Sequence, residues 1–497
     1  MAKRKRIAVV GAGLGGLSAA IRLAINGYTV DLYEQGKSPG GKANQINENG
    51  FRFDTGPSLL TMPFVIKDLF ENAGEIIEDY FEIIPLKNLC KYHYPDGTII
   101  NAYSDTEKFA EEISSKTKDT AQSVKKYLKY SEKIYELTAD LFLFGDFSEP
   151  KNFISTKALN TLLQINKIDP FRTMHNANKS FFKDEKTIQL FDRYATYNGS
   201  DPFKAPATLN IIQHVEYNLG GYILNGGVYS LVNALYRLAQ KKGVNFFFES
   251  KISRILHNDF SVNGITINRN GILEKKNYDT IISNADVNYS YKHLLDDSRS
   301  DSAVRYSKLE PSSSALVFYW GVKGKYDDLE IHNILFSSDY KKEFNDLFVK
   351  KVCPDDPTVY IYISSKYNSN DAPADHENWF VMINAPYVKN QNWEYEIEKS
   401  RKSIISKINS ILKVDIENKI VTEQVLTPEI IEKSTSSYRG SLYGISSNCK
   451  RAAFVRQKNR SKEYSGLYFC GGSSHPGGGI PLVILSGKLA AEAIIGS

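Results

Sequence analysis

The run Gly11-Ala12-Gly13-Leu14-Gly15-Gly16 constrains the fold more than any other part of the chain. Arg6-Ile7-Ala8-Val9-Val10 before it reads as a short apolar strand. Leu17 to Ala24 after it reads as a helix, and Tyr28 to Tyr33 as a second strand ending at Glu34. A strand, a glycine turn, a helix and a strand closed by an acid are the parts needed to hold a dinucleotide. Gly11 allows the tight turn, Gly13 lets the backbone approach a pyrophosphate, and Gly16 lets the helix pack against the strand. The helix N-terminus at Leu14 and Gly15 offers free N–H groups and a partial positive charge to phosphates. Glu34 can accept both hydroxyls of an adenosine ribose, with Gln35 beside it.

At 497 residues the chain is too long for a single hydrophobic core, so two or more domains are expected. Its 42% hydrophobic and 24% charged residues exclude wholesale disorder. A net charge of +5, with the basic residues dispersed, leaves no stripe for nucleic acid. Cys90, Cys353, Cys449 and Cys470 lie far apart with no C-x-x-C pair, so neither a metal site nor a disulfide framework is expected. That usage fits a reducing, cytoplasmic interior. Lys3-Arg4-Lys5-Arg6 before an apolar run resembles a secretory signal, but glycines interrupt the run and cleavage would destroy the nucleotide unit. No window of about eighteen apolar residues predicts a spanning helix. A peripheral membrane role stays open.

Residues 105–195 carry apolar positions at helical spacing, as in Val124, Tyr127, Leu128, Ser131 and Ile134. Ile154, Ala158, Leu159, Leu162 and Leu163 form another apolar stripe, followed by Pro170-Phe171 and Phe181-Phe182. Such a stripe suits core packing or a helix resting on lipid. Further on, Gly226-Gly227-Val228-Tyr229 opens a helix through Leu238. Strands are expected near 244–248, 252–256, 262–268, 278–283, 312–322, 358–364 and 467–470, with a helix near 394–413. There is no internal repeat and no low-complexity linker.

Two further blocks carry chemistry. Gly40-Gly41-Lys42 and Gly56-Pro57-Ser58-Leu59 allow extended backbone to lie close to a bulky planar ligand, and Lys42 can offset phosphate charge. Near the other end stands Gly471-Gly472-Ser473-Ser474-His475-Pro476-Gly477-Gly478-Gly479-Ile480-Pro481. Pro481 suits the first residue of a helix. In a flavoenzyme that helix N-terminus belongs beside the pyrimidine edge of the ring, where reduction builds negative charge.

Together with Phe53 to Pro57, Pro202 to Ala207 and Ser283-Asn284-Ala285-Asp286, these blocks resemble the bacterial carotenoid (phytoene-type) desaturases of the amine-oxidase-like flavoprotein superfamily. Within that family, Tyr197 to Pro202 and Gln213 to Tyr222 look most like the 1-hydroxycarotenoid 3,4-desaturases. The resemblance implies an α/β fold: a Rossmann-like FAD-binding domain (1–72, 222–296 and 425–497) and a discontinuous mixed sheet-plus-helix substrate domain (73–221 and 297–424). It implies FAD as cofactor, with Ala12, Glu34, Lys42, Ser58, Ile252, Asn284 and Gly472 near it. Gly478, Gly479, Ile480 and Pro481 then belong to the flavin contact zone. The implied reaction is desaturation of a hydroxylated acyclic or monocyclic carotenoid, by hydride transfer to flavin N5 and loss of a proton. Oxygen or a membrane quinone would reoxidise the flavin, and the protein would sit peripherally on the inner face of the cell membrane. Other carotenoid desaturases or oxygenases, and a non-catalytic lipid carrier, are the alternatives. His475 is the one histidine placed to act as a base, or else a structural turn residue. Gln213 and His214 are the expected readers of a substrate hydroxyl, or members of an internally satisfied helix face.

Overall fold

Ile7, Ala8, Val9 and Val10 are buried because Arg6–Val10 is the central strand of a five-stranded parallel sheet. Its order is Leu467–Phe469, Thr280–Ser283, Arg6–Val10, Thr29–Tyr33 and Asn245–Phe247. The computed structural model describes residues 6–145, 164, 167–449 and 452–496. Parallel sheets need cover on both faces. Helices Leu14–Ile25, Val228–Lys241 and Ile480–Ile495 share one core with Ile7, Val9 and Leu32. A three-stranded antiparallel sheet, Lys251–Asn258, Ser261–Arg269 and Ile272–Asn277, covers Ala8, Val10 and Ile281 on the other face.

A second sheet has seven strands in the order Ile420–Leu426, Ser314–Lys323, His376–Ala385, Val359–Tyr362, His332–Leu335, Asn88–His93 and Ile99–Tyr103. Every pairing is antiparallel except His332–Leu335 with Asn88–His93. Strand Ser314–Lys323 is buried at nine successive positions, because the sheet is covered on both faces. Leu316, Phe318 and Trp320 join Ile361 and helix Trp393–Leu412 on one side. Ala315, Val317 and Tyr319 join Tyr362 and Phe380 on the other. Helices Ala121–Phe142, Met174–Phe181 and Glu185–Asp192 close that second face. Helix Ala121–Phe142 buries Val124, Tyr127, Leu128, Ser131 and Ile134, the stripe its spacing predicts. The stripe from Ile154 to Leu163 lies outside the described residues. Among the described residues, no helix is long and apolar enough to cross a membrane.

A hairpin, Gln45–Glu48 and Phe51–Asp54, links the two halves. Helix Val228–Lys241 begins at Gly227, whose φ is 78° and which has no side chain to cap the helix. Asp54 does that work from across the chain, accepting from the N–H groups of Val228 (3.1 Å) and Tyr229 (3.2 Å). Arg52 ties Asp54 to Asp371, donating to both carboxylates. A Cβ on Gly227 would lie 2.3 Å from Asp54 Oδ2, so this close approach requires glycine.

Candidate active site

Distant segments meet at the glycine turn. Asn284, just beyond strand Thr280–Ser283, donates from Nδ2 to the Gly11 carbonyl (3.2 Å). A Cβ on Gly15 would come within 3.0 Å of the Gly471 backbone, so the first and last glycine blocks touch. Ser18 Oγ donates to the Ile484 carbonyl at 2.8 Å. Gly487 presses on Gly15, since a Cβ there would lie 2.4 Å from the Gly15 carbonyl oxygen.

Most helices here carry a side-chain N-cap: Asp105, Thr120, Thr173, Asp184, Ser300 and Asn392 each accept from a first-turn N–H. Helices Leu14–Ile25 and Ile480–Ile495 do not. Each starts at a glycine, Gly13 or Gly479, with no side-chain cap and no acid in the first turn. Their free N–H groups and positive ends therefore remain available to an anion. Both starts line one cavity of about 810 Å³. Two open helix ends on one cavity, with glycines where side chains would fill it, fit the pyrophosphate and the pyrimidine edge of FAD. Pro481 is the second helical residue, Ile480 the first.

Glu34 accepts from Ala12 N through Oε2 and from Gly36 N through Oε1, both at 2.8 Å. Gln35 Nε2 donates to the Ser434 carbonyl at 2.9 Å. Lys42 Nζ donates to the carbonyls of Ser441 (3.1 Å) and Leu442 (2.7 Å). Burial lowers Lys42 to about 8, opposed by the charge of Asp286. A second buried cation, Arg456, donates from Nη1 to Tyr443 (2.9 Å) and Gly472 (2.8 Å) and from Nη2 to Ile445 (3.2 Å). Burial lowers it to about 10, again opposed by Asp286. No motif marks Arg456 in the sequence.

The same cavity continues from this cradle onto the face of the seven-stranded sheet at Val317, Ile334 and Phe380, under Leu209, Ile212 and Val215. Gly11, Gly13, Leu14, Gly15, Glu34, Gln35, Gly41, Lys42, Gly56, Pro57, Ser58, Leu59, Ile252, Asn284, Gly471, Gly472, Gly479, Ile480 and Pro481 all line it. Ala12 and Gly16 support the turn from behind. Gln213 and His214 do not line it, because the short helical turns there present Ile212, Val215 and Glu216 to the cavity instead. Gln213 Nε2 donates to the Phe191 carbonyl at 3.2 Å. His214 is paired through Nδ1 with Asn218 Nδ2 (2.8 Å), and its ring lies 4.7 Å from that of Tyr135. His475 lines the cavity, and its Nε2 meets the Gly145 carbonyl at 3.1 Å. A carbonyl only accepts, so that nitrogen carries the proton.

A parallel nucleotide sheet whose two uncapped helices open onto one long, mostly apolar cavity defines a flavin oxidoreductase. The chain belongs to the flavin containing amine oxidoreductase family, which matches residues 14–495. It is an FAD-dependent enzyme with the expected α/β fold. It is 42% identical over 490 residues to a 1-hydroxycarotenoid 3,4-desaturase from Flavobacterium sp. (strain P99-3), covering 99% of both chains. It is 35% identical over 494 residues to a 4,4'-diaponeurosporene oxygenase from Staphylococcus aureus (strain MSSA476), covering 99% of this chain and 98% of that one. A solved structure of a putrescine oxidase variant shares the fold, with a TM-score of 0.65 at 12% identity over 99% of this chain and 100% of that one.

Proposed function

We propose that this protein introduces a 3,4 double bond into a 1-hydroxylated acyclic or monocyclic carotenoid. The supporting observation is near-full-length identity of 42% to a relative bearing that name. The cavity suits such a substrate, because it joins a nucleotide cradle to an apolar sheet face. When bound, FAD supplies a hydride acceptor at N5 for C–H bonds that offer no polar handle. Gly11 to Gly16, Glu34, Gln35, Gly41, Lys42, Ser58, Ile252, Asn284 and Gly471 to Pro481 would hold it. The open N-terminus at Ile480 would offset negative charge on the reduced ring. Val317, Ile334 and Phe380 exclude water and bind hydrocarbon, at about 25 cal/mol per Å² buried. His475 is the candidate to take the departing proton, held on the cavity wall by the bond from its Nε2 to the Gly145 carbonyl.

The purified, FAD-loaded protein given a 1-hydroxycarotenoid should yield a product lighter by two hydrogens. A product heavier by oxygen would instead favour the oxygenase reading, which the 35% identical diaponeurosporene oxygenase supports. Recovery of substrate unchanged, with oxygen or a quinone as acceptor, overturns both and leaves the carrier reading.

We also infer peripheral attachment to the inner face of the cell membrane. Phe64, Phe171 and Phe454 are exposed; Phe454 itself lines the cavity, as does Pro170 beside Phe171. Replacing all three by serine should lower co-flotation with liposomes at least tenfold, because each exposed ring can bury apolar area worth about 1.5–3 kcal/mol. Unchanged flotation rejects this attachment.

A further inference from the structure

We propose that Arg193 and Glu216, with the Ser58–Tyr360–His332 chain beside them, form a subsite for the tertiary hydroxyl of the substrate. This rests on the hydroxycarotenoid reading above.

All five residues line the same cavity, three of them beside the apolar face at Val317, Ile334 and Phe380. Arg193 is only 7% exposed. Its Nε donates to Tyr92 (2.9 Å) and its Nη2 to Glu216 Oε1 (3.2 Å), with the Tyr197 hydroxyl also beside the guanidinium, so its five N–H groups outnumber these acceptors. Glu216 is saturated by comparison: Oε1 also accepts from Tyr194 (2.7 Å) and Oε2 accepts from Tyr197. The guanidinium lies 4.3 Å from the Tyr194 ring centre, with Tyr92 and Tyr197 also beside it, so its position is fixed. His332 Nδ1 is bonded to the Tyr360 hydroxyl (2.7 Å), which also meets Ser58 Oγ (2.6 Å). Its Nε2 is buried with no partner. Burial and the nearby Arg193 charge hold His332 down to about 3, so the ring is neutral and one nitrogen can accept.

These are one unfilled donor and one unfilled acceptor on a hydrocarbon slot. An alcohol fills both. Its oxygen accepts from a spare Arg193 N–H and its O–H donates a hydrogen bond to His332 Nε2, with Nδ1–H donating to Tyr360 and Tyr360 donating to Ser58. A substrate without the hydroxyl displaces water and leaves both groups unpaired.

The position of the cluster agrees with the chemistry. In a 1-hydroxy substrate desaturated between carbons 3 and 4, the oxygen is three bonds from the nearer reacting carbon. Its reader must therefore stand beside the flavin. Ser58 follows Gly56, and a Cβ on Gly56 would lie 2.0 Å from the Lys42 carbonyl oxygen, so this segment is packed into the cofactor cradle. Through Tyr360 it joins the polar cluster directly to that cradle.

The test measures kcat/KM for a 1-hydroxycarotenoid and for the same carotenoid lacking the hydroxyl, on FAD-loaded protein. The double variant Arg193→Met, Glu216→Gln removes both charges, so neither is left buried alone. The ratio of the two kcat/KM values should fall roughly 10- to 100-fold. A wild-type preference that survives unchanged in the double variant overturns the subsite and leaves the proposed function standing. A wild type that shows no preference overturns the hydroxycarotenoid reading itself, and the subsite with it. Should the double variant fail to fold, His332→Phe decides: it removes the acceptor and leaves the Arg193–Glu216 pair intact, and an unchanged ratio there also rejects the subsite.

Discussion

Gly16→Ala should yield protein that purifies with little or no flavin. A Cβ at Gly16 would sit 2.1 Å from the Gly11 carbonyl oxygen and 3.2 Å from Asn284 Nδ2. The first contact is with backbone, so no side-chain rotation relieves it. Either helix Leu14–Ile25 lifts from strand Arg6–Val10, or the turn that carries Gly11 and Gly13 is pushed out of shape. Lifting the helix also strains its packing on Ile480–Ile495, where Ser18 meets Ile484 and Gly487 meets Gly15. Overpacking of this kind costs about 1–3 kcal/mol in stability, and the pyrophosphate loses donors whose positions matter to a few tenths of an ångström. FAD affinity should drop by at least roughly 100-fold, the equivalent of about 2.7 kcal/mol. Visible flavin absorbance of the purified protein and titration of apoprotein with FAD measure it. Near-normal affinity would mean that the turn is not where the pyrophosphate binds.

Asp54→Leu gives the largest loss of stability expected from a single change outside the cradle. Asp54 is 3% exposed. It is at once the cap of helix Val228–Lys241 and a partner of the buried Arg52. Removing it leaves two first-turn N–H groups unsatisfied and half-strips a guanidinium that keeps only Asp371. Capping contributes about 0.5–2 kcal/mol and breaking a buried ion pair costs about 3–5 kcal/mol. The two overlap, so about 3–5 kcal/mol is expected. The apoprotein should melt well below wild type, while Glu398→Ala, in the exposed pair with Lys402, leaves the melt unchanged. Asp54→Asn, which keeps an acceptor, should fall between. A melt of Asp54→Leu equal to wild type would show that the cap and the ion pair contribute nothing.

The sequence announces whatever its local pattern determines. The glycine turn, the strand to Tyr33, helix Val228–Lys241 and the helix after Gly479 were legible because each follows from neighbouring residues. That Gly471 would reach the Gly11–Gly16 turn followed from what the family resemblance implied, and the two backbones do pack, since a Cβ added at Gly15 would lie 3.0 Å from Gly471. Long-range pairing was not legible. Strand Ser314–Lys323 reads as an ordinary strand, and nothing local says that cores lie on both sides of it. Strands Asn88–His93 and His376–Ala385 escaped notice because they carry polar residues whose burial depends on partners far away in sequence, as Asn378 bonds the Arg52 carbonyl. Arg193, Glu216 and Arg456 look like solvated charges in the sequence. Their partners, Tyr92 for Arg193 and Gly472 for Arg456, are visible only after folding. Gln213 and His214 drew attention because they put polar groups into a stretch that is more apolar and aromatic in typical phytoene desaturases. One step along a helical turn changes which side chain meets the cavity.

The contact between Ser18 and Ile484 spans 466 residues. During synthesis the first of these leaves the ribosome long before the second exists. Helix Leu14–Ile25 must therefore wait, its glycine-bearing flank uncovered, while nearly the whole polypeptide is translated. Strand Thr280–Ser283 likewise waits for its edge partner at Leu467–Phe469. Loading of the prosthetic group should thus follow translation, and nascent chains stalled before this last strand should accumulate as chaperone clients rather than as yellow protein.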